Sequence, residues 1–148
     1  MTRSTTIRSL GTLVQLRSTQ VERLEADLAS QEATRVRYQN NLDRLTALTH
    51  GSGASGAALQ VNPAMALNCG AYKQGVMALA DSHRIDLSLH QANMAVSQTR
   101  LKDAWVGREL LGKVLAREQG AQARDTDRLM KKRDDEIANQ SWMAGRTA

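Results

Sequence analysis

The 148 residues carry 20 basic and 15 acidic side chains, a formal net charge of +5, with only 3% aromatic residues and no phenylalanine. So few large rings argue against a thick multilayer core, while a single proline and the Ala, Leu, Gln and Arg content favour long helices. Acids are interleaved with the bases along the chain, which is the pattern of a solvated helix surface rather than a phosphate-binding stripe.

There is no apolar run long enough to span a bilayer. Arg3 and Arg8 are not followed by a continuous apolar segment, so no signal peptide is expected. The one cysteine, Cys69, excludes an internal disulfide and suits a reducing cytoplasm.

In chain order, residues 1–4 read as a soft start, with Thr2 or Ser4 able to cap but no Glu or Gln at capping-box spacing. The first helix is predicted over about residues 5–48. Ile7, Val14, Val21, Leu28, Arg35, Leu42 and Thr49 recur every seven residues, with Leu10, Arg17, Leu24, Gln31, Tyr38 and Leu45 between them. This ladder makes one narrow stripe, too narrow for the wall of a globular core, and it calls for a partner helix along it. Arg17, Gln31 and Arg35 interrupt the apolar seam, where polar residues lower stability and fix register.

A Gly/Ser-rich reversal loop is expected over about residues 50–62. Its Gly51–Gly56 run matches the G-x-G-x-x-G pattern literally, but the preceding segment is a heptad helix and not the strand that a dinucleotide site requires. Asn62-Pro63 then suits a helix start, and helical pattern continues to about residue 142. Gly70 and Gly75 weaken its beginning by about 1 kcal/mol each relative to alanine. Tyr72, Val76, Leu79 and His83 form one run of its seam. Leu87, Met94, Leu101, Leu111 and Leu115 form another, with Ala80, Ala104 and Arg108 between, which implies a change of phase.

The whole is expected to be a single all-α domain, residues 1–148. Its two long helices form an antiparallel coiled-coil hairpin, with the C-terminal helix longer and projecting. Beyond about residue 115 that helix has no counterpart. Leu129, Met130, Ile137, Trp142 and Met143 there have the character of an attachment surface.

Enzyme chemistry finds no support. His83 and His90 lie two helical turns apart, about 10 Å, too far to share one metal ion. No cofactor is implied. Lys131-Lys132-Arg133 is followed at once by Asp134-Asp135-Glu136, so pairing within the helix accounts for it without nucleic acid. A basic-zipper DNA binder is excluded because the best heptads lie at the opposite end from the basic residues.

Three stretches carry a likeness to a known family: Tyr38-Gln39-Asn40-Asn41-Leu42, His83-Arg84-Ile85-Asp86-Leu87, and the interval from there to Trp105 followed by the polar tail through Leu129-Met130-Lys131-Lys132 and Asp135-Glu136. With its length and its glycine-containing reversal, the chain resembles the flagellar type III export protein family FliJ. The resemblance implies a non-enzymatic coiled coil similar to the central stalk of rotary ATPases. It would bind the export ATPase ring (FliI), link it to the membrane export gate protein FlhA, and support export chaperones from the cytoplasmic face of the inner membrane.

By the same resemblance the gate contact falls on Gln31, Arg35, Tyr38, Leu42, Tyr72, Val76, Leu79 and His83. Gln31, Tyr38 and His83 match the family residue. At Arg35 a charge replaces an apolar group, and at Leu42 an aliphatic replaces an aromatic. The ladder also explains several of these positions as ordinary seam. Contacts with the ATPase ring would involve Leu10, Val14, Leu129, Met130 and Trp142. The rival reading is a generic coiled-coil adaptor, or an injectisome-type secretion chaperone without coupling to an ATPase.

Overall fold

The computed structural model describes residues 2–51 and 63–146. Residues 50 and 51 of the expected reversal loop belong to the first helix instead, while residues 52–62, with the rest of the glycine pattern and the Asn62 cap, lie outside the described residues. The described residues form two α-helices and no strand, α1 (Arg3–Gly51, 49 residues) and α2 (Pro63–Arg146, 84 residues), paired as a helical hairpin.

Thr2 stands just before α1, and its carbonyl accepts the N–H groups of Thr5 and Thr6 at 3.0 and 3.2 Å. The start is therefore tied by backbone bonds, as helix ends require. Pro63 is the first residue of α2, where its missing N–H removes no helix bond.

The packing divides into two units, one joining the chain up to Val21 with the chain from Asp103 onward, the other comprising Glu22–Lys102. In the Glu22–Lys102 unit the helices run antiparallel. Gln31 meets Ser97 and His90, and Tyr38 meets His90 and His83, so partners in α2 fall as residues in α1 rise.

The buried residues of this unit are Val76, Ala80, Leu87 and Met94. Half-buried His83, His90, Ser97 and Leu101 complete one continuous three-four ladder on α2 from Val76 onward. The expected change of phase is not found in this unit. His83 is in the seam as expected, and an inventory of apolar residues passes over His90 and Ser97, which follow it at heptad spacing. Tyr72 and Leu79 lie off the ladder and are 53% and 50% exposed.

In the other unit the best-buried residue is Val21, 2% exposed. Ile7, Leu10 and Val14 are half-buried there, but Arg17 is not in the seam. Its guanidinium donates to Gln20 Oε1 at 2.9 Å on the outer face, and Ser18 takes the inward position. A small hydroxyl is cheaper to cover than a guanidinium, and either spacing closes a heptad between Val14 and Val21. Arg3 bridges to α2 through ion pairs with Glu118 at 3.5 Å and with Asp125. Every residue of α2 from 122 to 146 is exposed.

Candidate functional site

In the Glu22–Lys102 unit the seam holds a polar and aromatic cluster. The Tyr38 ring lies between two imidazoles, 6.4 Å from His83 and 5.6 Å from His90, both tilted. His90 Nε2 is 2.7 Å from the backbone carbonyl of Gln31. A carbonyl only accepts, so this nitrogen carries the proton. Gln31 Nε2 donates to Ser97 Oγ at 3.0 Å. Gln31 Oε1 and His83 Nδ1 are buried and have no hydrogen-bond partner. Buried polar atoms in this state weaken the seam locally.

Of the residues singled out from the sequence, Gln31, Tyr38, Leu42, Val76 and His83 lie in or beside this seam, half-buried or buried. Tyr72 and Leu79 are on the outside of α2. Arg35 turns back along its own helix and pairs with Glu32, Nη2 to Oε1 at 2.7 Å and Nε to Oε2 at 2.9 Å. Hydrogen bonding from Arg35 lowers the Glu32 pKa, and the reciprocal bond raises that of Arg35. The charge at position 35 is thus neutralised locally. The candidate gate residues therefore form a seam cluster and an outer pair, with Arg35 in neither, paired along its own helix. His90, weighed from the sequence only as a metal ligand with His83, and Ser97 also belong to the cluster. Their heptad spacing from His83 was the available signal.

In the other unit Leu10 and Val14 are half-buried, whereas Leu129, Met130 and Trp142 are 68%, 62% and 62% exposed. The Arg146 guanidinium stacks 4.7 Å over the Trp142 ring, and that of Arg108 lies 5.6 Å from the Trp105 ring. Leu129 stands exposed on the helix among the charged Asp125, Arg128, Lys131, Lys132 and Asp135. A concavity of about 380 Å³ lies between Glu25–Glu32 and Met94–Leu101 and opens broadly to solvent.

Among the described residues no group of three or more His, Cys, Asp or Glu side chains is placed to hold a metal ion. No described helix is long and apolar enough to cross a membrane. Cys69 is free and exposed.

A two-helix seam with a polar break in one unit, and an exposed, charge-rich helix end carrying Leu129, Met130 and Trp142 in the other, define a coiled-coil protein. The sequence profile of the family described as Flagellar FliJ protein matches residues 6–147, and the chain belongs to that family. The family is a non-enzymatic component of flagellar protein export. No curated protein and no solved structure matches the chain.

Proposed function

We propose that this chain is the stalk-like coiled coil of the flagellar export apparatus. It acts as one domain that binds the export ATPase ring (FliI), links it to the gate protein FlhA and assists delivery of chaperones and substrates. The observation that carries the reading is the family match across nearly the whole chain. The mechanism is mechanical and allosteric. An asymmetric helix pair inside a symmetric ring makes unequal contacts with the subunits and biases assembly and nucleotide turnover by differential affinity.

Two features support separate roles for the two units. The exposed Leu129, Met130 and Trp142 suit insertion into a protein groove, with Leu10 and Val14 as neighbours in sequence to the start of α1. The weakened seam at Gln31, Tyr38 and His83, with Arg35, Leu42, Val76 and exposed Tyr72 and Leu79, suits a gate contact. The working place would be the cytoplasmic face of the inner membrane, held there by partners.

Co-purification with the hexameric ATPase tests the reading. Recovery of the ATPase, stimulation of its turnover and weakened association of Trp142→Ala are expected. Recovery of filament or cap subunits alone would favour the chaperone without ATPase coupling.

A further inference from the structure

α2 carries a second heptad ladder on the side away from α1. In the Glu22–Lys102 unit, Ser82, Ile85, Leu89, Ala92, Val96 and Thr99 follow one another at three-four spacing and are all exposed. Each sits two residues after a seam residue, about 200° around the helix, so this stripe is diametrically opposite the buried one. Ile85, Leu89 and Val96 are 69%, 61% and 53% exposed. Isolated exposed apolar residues need no explanation, but apolar residues at a/d spacing describe a surface for another helix.

The charges beside the stripe say which helix. Asp81 and Asp86 flank its N-terminal end, and Arg100 and Lys102 its C-terminal end; all are exposed. A parallel pair of such helices in register would set Asp81 against Asp86 of the second copy, like against like. An antiparallel pair brings acidic end to basic end. The stripe is therefore complementary to itself under a two-fold axis, the arrangement of an isologous interface.

We propose that this face of α2 is a self-association surface, on which a second copy of the chain docks antiparallel about a two-fold axis between His90 and Gln91. In that register Ile85 meets Val96 of the second copy, Leu89 meets Ala92, Ser82 meets Thr99, and Asp81 faces Lys102. Ala92 lets the backbones approach closest beside the axis. Asp81 also pairs with Arg84 of its own helix at an exposed position, where such a pair is weak, so Lys102 of the second copy joins an existing ion pair. None of these positions is among the residues assigned to the ATPase ring or the gate, so this inference and the proposed function stand or fall separately.

Sedimentation of the full chain from low micromolar to sub-millimolar concentration tests it. A reversible dimer is expected. Leu89→Glu, at an exposed position, should keep its helicity and weaken association by at least about tenfold, because each dimer contains the site twice. Asp81→Lys alone and Lys102→Asp alone should each weaken the dimer, and the double swap should restore it. A chain that stays monomeric throughout, a dimer indifferent to Leu89→Glu, or a double swap no better than either single change would overturn the proposal. So would a monomer that binds the heptad helix of another export component on this face. ATPase binding by the Leu89→Glu chain reports separately on the proposed function.

Discussion

Replacing Gln31 by Leu together with Ser97 by Ala should make the hairpin more stable. Gln31 Oε1 is buried without a partner, and relieving such a group is worth about 1–3 kcal/mol. The pair of changes also removes the 3.0 Å bond between Gln31 Nε2 and Ser97 Oγ, a net loss of about 1 kcal/mol. A leucine at a half-buried seam position adds about 1 kcal/mol of apolar burial. The balance is a gain of about 2 kcal/mol, roughly thirty-fold in the folding constant. His90 keeps its bond to the backbone carbonyl of residue 31, so register is not lost with the side chain. Urea unfolding followed by far-ultraviolet circular dichroism reads the change directly. With a slope of about 1–3 kcal/mol per molar urea, the midpoint should rise by about 1 M at unchanged slope. A midpoint that falls would show that the polar pair holds the seam together, and the idea of a locally weakened seam would fail. If the weakness serves gate binding, the same double variant should bind FlhA less well while folding better.

Val21→Ala should lower stability by about 2 kcal/mol, since Val21 is 2% exposed and the change leaves unfilled space in a two-helix seam; an unchanged urea midpoint would show the site relaxes completely. Gly75→Ala should raise stability by up to about 1 kcal/mol, because a Cβ there meets nothing within 4 Å and the helix backbone is already formed; thermal unfolding checks it. Glu32 has its pKa lowered by hydrogen bonding from Arg35, so its contribution is present above the ordinary glutamate range and lost as pH falls through its own folded value. Glu32→Gln should therefore reduce the melting temperature slightly at neutral pH and not at strongly acidic pH, and a difference that grows on acidification would reverse the sign of that argument.

Much of this molecule could be read before its structure. The α1 ladder announces itself because Ile7, Val14, Val21 and Leu28 are apolar at heptad spacing, and a stripe so narrow admits only a partner helix. The exposed character of α2 beyond residue 122 follows from its charge density. The α2 seam was harder, because His83, His90 and Ser97 hold positions where hydrophobicity gives no signal and only spacing does. Arg17 illustrates the limit from the other side. Heptad arithmetic allows either residue 17 or residue 18 inward, and the choice rests on the desolvation of a guanidinium, which periodicity does not contain. The second stripe on α2 was present in the sequence too, but its meaning depends on knowing which face α1 already covers.

The pairing of α1 with α2 in one molecule is tested most directly by an engineered disulfide. In a Cys69→Ser background, cysteines at Gln31 and Ser97 replace two side chains that touch across the seam. Mild oxidation should link them rapidly within a single chain, while a Gln31 and Ile85 cysteine pair, with Ile85 on the outer face, should remain unlinked. Absence of the intrachain bond in the first pair, or equal linkage in the second, would contradict the hairpin on which the account rests.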